Sequence, residues 1–263
     1  MSKFYVVATP IGNMGDITLR AIETLKNVDL ILCEDTRETK KILDKYSISK
    51  PTMSYHAQSK LAKTDKIFEL LAEGKNLALV SDAGTPGISD PGALLVSKIK
   101  EKFDLTPPSA PLSLTRRGGG GEVSMQGRSL LEKNSSPLLG GGLGGVEVIP
   151  IPGASAVITA LSACGLPTHE FTFLGFLPHK KGRETLFKEI ASAKRTMVFY
   201  ESPHRILKTL ESLEKFCPNK KVCIARELTK IYEEFKTGSP ADVLEYSNKN
   251  KEKQRGEFTV IVA

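Results

Sequence analysis

Four clusters of polar residues and glycines follow apolar runs in the first half of the chain, and two more do so in the second half. The longest, SDAGTPGISDPG (81–92), holds three Gly, two Pro, two Asp and two Ser. A loop of that composition has a fixed shape. It turns backbone donors and carboxylates toward a small polar ligand with few bulky side chains in the way. Asp90 precedes Pro91 and is also placed to cap a helix starting there. In ATPIGN (8–13), Pro10 fixes the backbone and Gly12 permits a sharp bend, so the chain can turn across a sheet edge. CEDTR (33–37) crowds Glu34, Asp35 and Arg37 together, with Asp35 or Thr36 available to cap the next helix. IPGASA (151–156) offers small residues for close approach. YESPHR (200–205) gathers Glu201, His204 and Arg205 into one turn, and ARELTK (225–230) is the sixth cluster. Each also has a plainer reading, as a strand-to-helix turn, a helix cap or a surface ion pair.

These clusters need elements to hold them, and the hydrophobic pattern supplies those elements. Runs at 4–9, 28–33, 76–81 and 146–151 read as buried strands. Apolar residues at helical spacing over 17–26, 36–46 and 63–74 read as helices, the last stopped by Gly74. Strand and helix in alternation predict a mainly parallel sheet covered by helices, whose ligand edge is the C-terminal edge of the strands. After a turn-rich joint near 165–169 the pattern restarts. Strands are expected at 171–177, 196–200, 221–225 and 257–263, and helices at 181–194, 203–215 and about 240–246. The expected architecture is therefore α/β and two-lobed, with residues 1–165 and 166–263 forming one domain each and a ligand cleft between them.

Residues 105–145 break this rhythm, holding 10 of the chain's 22 glycines with no sustained period. Without them a helix would pass to a strand through a short link, so the stretch reads as a surface insertion. Gly140, Gly142 and Gly145 match GxGxxG formally, but no strand precedes them and no helix follows, so a dinucleotide fingerprint is rejected.

The whole-chain numbers narrow the function classes. The chain has 263 residues, 40% of them hydrophobic, with 37 Lys and Arg against 30 Asp and Glu. That composition sets aside disordered and disulfide-stapled classes. No apolar run approaches the ~20 residues of a membrane span, and the N-terminus lacks a signal-peptide layout, so a cytoplasmic protein with no membrane partner is expected. The four cysteines are scattered without a CxxC pair and read as reduced core residues, with no metal site. A net charge of +7 suits a polyanionic partner. P-loop, nucleophile-elbow, HExxH and kinase signatures are missing from the sequence.

Taken in order, VATPIGNMGDITLRA, CEDTRETKKIL, VSDAGTPGISDPG, IPIPGASAVITALSACGLP, FTFLGFLPHKKGR, FYESPHRI and ARELTKIYEEF resemble the motifs of the tetrapyrrole methylase superfamily, in its rRNA-methylating branch. The likeness spans the chain apart from 105–145, and the additional C-terminal segment of longer relatives is not expected in this chain. The resemblance implies S-adenosyl-L-methionine bound between two lobes, methyl transfer to the ribose 2′-oxygen of a cytidine in the decoding region of small-subunit rRNA, and a homodimer. The implied partner is that rRNA or the assembled small ribosomal subunit. Carried over by motif, the cofactor-binding residues are Pro10, Ser81, Asp82, Ala83, Gly84, Ile88, Ser89, Asp90, Ser155, Ala156, Tyr200, Arg226, Glu227 and Leu228. A 2′-hydroxyl needs help in losing its proton, which makes Glu34, Asp35, Glu201 and His204 the candidate bases, with Arg37 and Arg205 as phosphate holders. Two alternatives stay open: a tetrapyrrole or modified protein histidine as acceptor, and a non-enzymatic RNA-binding assembly factor on the same fold.

Overall fold

The computed structural model describes residues 1–56, 61–90, 92–103 and 145–263. Most of the glycine-rich stretch, including two of the three glycines of its GxGxxG match, and Pro91 lie outside the described residues.

The first sheet is built from β1 (Ser2–Val7), β2 (Leu30–Cys33), β3 (Thr52–Ser54), β4 (Leu77–Leu79) and β5 (Val146–Ile151), in the order β3-β2-β4-β1-β5. Every pairing in it is parallel. Its central strands β2 and β4 are apolar on both faces because both faces are covered. Phe4, Leu32, Leu77 and Leu79 pack under α3 (Leu61–Ala72) and α4 (Gly92–Phe103), against Ile67, Leu71, Leu95 and Ile99. The residues of opposite parity, Val7, Ile31, Cys33 and Ala78, meet α1 (Leu19–Asn27) and α2 (Thr36–Lys45) through Ala21, Leu25 and Leu43.

The second sheet is mixed. It contains β6 (Phe171–Phe176), β7 (Thr196–Glu201), β8 (Val222–Arg226), β9 (Glu234–Gly238) and β10 (Phe258–Val262), in the order β6-β7-β10-β8-β9. Only β6 and β7 run parallel; the other pairs are antiparallel. Met197, Phe199, Val222, Ile224, Val260 and Val262 face one side, under α6 (Arg183–Ser192), α7 (Ile206–Phe216) and α8 (Pro240–Lys249). The alternate residues Val198, Cys223, Ala225 and Ile261 face the other side, where α5 (Ala156–Ala163) lies. Val157, Ala160 and Leu161 of α5 pack directly on them. Thus α5, which follows the last strand of the first sheet, buries its apolar face on the second and joins the two.

The strands and helices read from the sequence are present, with ends shifted by a few residues. β3 and β9 were not read. β3 is three residues long, and β9 (EFKTG) is an edge strand whose polar residues give no apolar run. All four cysteines are buried and free, as expected.

Candidate functional site

A cleft of about 330 Å³ opens between the two sheets, within the usual range of small-molecule sites. Its first wall comes from the C-terminal edge of the parallel sheet. The end of β1 and the 81–92 loop are locked as a pair: Thr9 and Gly84 exchange backbone hydrogen bonds of 2.9 and 3.2 Å, and Thr9 Oγ1 donates to the Ser81 carbonyl. Gly84 needs to be glycine because its φ is +85° and a Cβ there would lie 3.3 Å from Ile11 Cγ2. Farther along, the Asp90 carboxylate accepts from the backbone N–H of Gly87 (2.8 Å) and of Gly92 (2.7 Å), so it shapes the loop as well as the start of α4. Ser81, Ala83, Gly84, Ile88, Ser89 and Asp90 all line the cleft.

The N-terminus of α5 supplies a second element. Ser155 occupies the N-cap position in extended backbone, yet its side chain makes no capping hydrogen bond, and it lines the cleft with Ala156. A helix start whose N-cap hydroxyl is uncommitted is suited to hold polar ligand oxygens. Opposite stands Tyr200. Burial pushes its hydroxyl pKa up, opposed by a hydrogen bond with the Val157 backbone. Its ring stands edge-on to Phe173 at 5.0 Å and tilted to Phe176 at 5.4 Å. Leu228 completes this wall from the turn after β8.

Four of the expected cofactor residues do not reach the cavity. Pro10 is buried beneath the turn, and its neighbour Ile11 is the residue that lines the cleft. The Asp82 carboxylate accepts from the Asp35 backbone N–H at 3.0 Å, tying the ends of β2 and β4 together. Arg226 is spent on the carbonyls of Arg255 and Tyr232. Glu227, at φ +49°, accepts from the Glu257 backbone and from Lys230 Nζ, both at 3.0 Å. This folded turn comes so close to the first cluster that a Cβ on Gly12 would lie 2.5 Å from Lys230 Cγ and 2.9 Å from Thr229 Oγ1. Close approach, rather than a left-handed backbone, is what Gly12 provides.

The candidate bases separate clearly. Glu201 has a fully buried carboxylate with every lone-pair direction taken: Arg205 (2.7 Å) and the Ser202 backbone N–H (2.9 Å) on Oε1, Arg183 (3.4 Å) and Thr209 Oγ1 (2.6 Å) on Oε2. It holds arginines and has no capacity left for a substrate proton. Arg205 is likewise committed, through Glu201 and the Leu177 carbonyl, so it is not an open phosphate holder. Asp35 caps α2 by accepting from the Arg37 N–H (2.8 Å) and pairs with the Arg37 guanidinium (2.7 Å). Those bonds hold its carboxyl at about 2, so it is a poor base, and the 86% exposed Arg37 side chain points to solvent. His204 is exposed and does not line the cleft. Glu34 alone among these lines the cleft with an open carboxylate. Burial pushes its pKa up, as do the charges of Asp82 and Asp90, against one hydrogen bond from the Asp82 backbone.

Residues at the start of β10, Glu257, Phe258 and Thr259, also line the cleft, as do Thr85, Phe176, Ser202 and Pro203. Phe176 falls inside a motif quoted above. The β10 residues follow no strand end. β10 runs antiparallel to β7 and β8, so its first residues share an edge with their last ones, and only the topology reveals that. Among the described residues no group of His, Cys, Asp and Glu is arranged to hold a metal ion.

A profile for Tetrapyrrole (Corrin/Porphyrin) Methylases matches residues 3–108 and 142–243. A protein of Halalkalibacterium halodurans named ribosomal RNA small subunit methyltransferase I is 42% identical over 260 residues, covering 98% of this chain and 74% of that protein. The protein of the same name from Thermotoga maritima is 38% identical over 263 residues, covering 100% of this chain and 99% of its own length. Among solved structures, diphthine synthase superposes with a TM-score of 0.66 at 11% identity, over 100% of this chain and 90% of that one. The methyltransferase CobJ gives 0.61 at 17%, over 100% and 92%. At those identities the two structures speak for the shared fold. Parallel sheet, mixed sheet and the cleft between them are thus the family's architecture, and the chain belongs to the tetrapyrrole methylases, in the group of ribosomal RNA small subunit methyltransferases I.

Proposed function

We propose that the cleft transfers a methyl group from S-adenosylmethionine to the ribose 2′-oxygen of a cytidine in small-subunit rRNA. The observation that carries this reading is that motifs spread along a chain so similar to rRNA methyltransferases converge on one cleft. The residues present fit the cofactor. The small, glycine-shaped 81–92 loop lets backbone approach a ligand closely, the uncapped start of α5 with Ser155 offers donors, and Ile11, Tyr200 and Leu228 offer apolar contact. S-adenosylmethionine supplies, when bound, an electrophilic methyl on a positively charged sulfur, so holding the acceptor in line achieves much of the acceleration. Glu34 accepts the proton of the 2′-hydroxyl. Its raised pKa brings it nearer the operating pH than an ordinary carboxylate. The carboxylates of Asp82 and Asp90 keep this wall negative, which favours a cationic ligand beside it.

In this reading residues 1–165 and 166–263 are the two domains and the protein acts as a cytoplasmic homodimer. Among the described residues no helix is long and apolar enough to cross a membrane. The test is mass analysis of small-subunit rRNA from cells lacking the gene, where one ribose methyl should be missing and should return with the purified chain and S-adenosylmethionine. An unchanged methylation pattern would sink the reading. A tetrapyrrole methylated in place of rRNA would move the chain to a sister branch of the family.

A further inference from the structure

The Glu201 carboxylate has no part in the chemistry proposed above, yet it is completely buried and gathers two arginines whose side chains are each only 16% exposed. Burying three charges is costly, and such a cluster persists where it fixes a geometry. What it fixes is legible from the remaining donors. Arg205 Nη1 donates to the Leu177 carbonyl at 2.9 Å, and Arg183 Nη1 to the Pro178 carbonyl at 3.1 Å. Both carbonyls lie at the root of the connection between β6 and α6, which the Arg183 N–H closes by donating to the Lys180 carbonyl. Apart from Leu177 that connection buries nothing: residues 178–182 are all exposed. At its tip Lys180 and Lys181 have no carboxylate partner among the described residues. At its base Phe176 lines the mouth of the cleft, beside Ser202 and Pro203 of the turn that carries Arg205.

We infer that the 178–182 loop is a phosphate-contact surface for the RNA substrate, with Lys180 and Lys181 as its cations and the Glu201 cluster as the brace that holds them at the cleft mouth. This rests on the reading of the acceptor as rRNA. The loop has no packing of its own to hold it in place, so the ion cluster takes that part. The cluster itself carries two guanidiniums against one carboxylate and adds to the positive potential beneath the lysines. Phosphate contacts of this kind position a nucleic acid without reading its sequence, as suits delivery of one ribose to the cleft.

The test uses the full chain and purified small ribosomal subunits. K180A/K181A should raise KM for the subunit several-fold and make the dependence of log affinity on log salt shallower by about 2, one for each cation. Affinity for S-adenosylmethionine, read by calorimetry, should stay the same, and K180R/K181R should restore both the KM and the salt slope. If K180A/K181A keeps the KM and salt slope of the parent, the surface assignment is wrong while the methyltransferase reading stands. If the parent chain neither binds nor methylates the subunit, the reading of the acceptor fails, and this inference fails with it.

Discussion

At the scale of single residues, what separates Glu34 from the other carboxylates is occupancy rather than identity. Asp35 is bonded to a helix N-terminus and an arginine, and Glu201 to two arginines, a threonine and a backbone N–H. The lone pairs of both carboxylates are already in use. Glu34 is disfavoured as an anion by burial and by Asp82 and Asp90, so its ionised form keeps affinity for a proton. Glu34→Gln should therefore lower kcat by about 10²- to 10⁴-fold, the usual contribution of a general base, and leave S-adenosylmethionine affinity unchanged in calorimetry. It should also raise the melting temperature at neutral pH. A carboxyl whose folded pKa lies above its unfolded one loses stability as pH rises through the folded value, and the amide removes that loss. The stability difference should vanish below the unfolded glutamate value of about 4.3. For the same reason Asp82→Asn, which keeps the oxygen that accepts from Asp35, should move the acidic limb of the kcat profile to lower pH. A variant that loses neither activity nor this pH dependence would remove Glu34 from the mechanism.

At the scale of elements, the cleft is made by turns that hold one another, and that is where the sequence was both most and least informative. The 81–92 loop was legible because glycine, proline and aspartate at those densities serve backbone geometry, and the structure shows which geometry: a left-handed Gly84 paired with Thr9, and an Asp90 carboxylate closing on Gly87 and Gly92. Arg226 and Glu227 show the complementary case. Their motif was read as a ligand wall, whereas their side chains fold the turn so that only Leu228 faces the cleft. Sequence places a residue at a strand end; whether its side chain turns to the ligand or back to its own loop depends on tertiary partners. Gly84→Ala tests the loop directly. A left-handed L-residue costs roughly 1–2 kcal/mol, and the new methyl would press on Ile11, itself part of the cleft. S-adenosylmethionine affinity should fall about tenfold in a folded protein, ~1.4 kcal/mol by calorimetry. Unchanged affinity would dissociate the loop from the cofactor.

At the scale of the whole molecule, α5 couples the two sheets, so the cleft is a product of their packing and not of either sheet alone. Its small apolar residues sit against Val198, Cys223, Ala225 and Ile261, while its N-terminus opens into the cleft. Residues 109–141 fall between the two stretches that match the family. The elements flanking them already converge: Phe103 at the end of α4 and Val146 at the start of β5 belong to the same core cluster. Deleting 109–141 leaves residues 104–108 and 142–145, a link of nine residues, somewhat longer than the usual helix-to-strand connection of about two to six and short of the about 12 at which loops become uncommon. Closure entropy changes with the logarithm of length, so shortening a 42-residue connection to nine should return about 1 to 1.5 kcal/mol where the removed residues add no packing. The expected outcome is an unchanged S-adenosylmethionine affinity and a melting temperature equal to or slightly above that of the full chain. A lower melting temperature would show that the segment packs on the fold. Normal cofactor binding with lost methylation of the small subunit would show instead that Arg116 and Arg117, or their neighbours, reach the RNA.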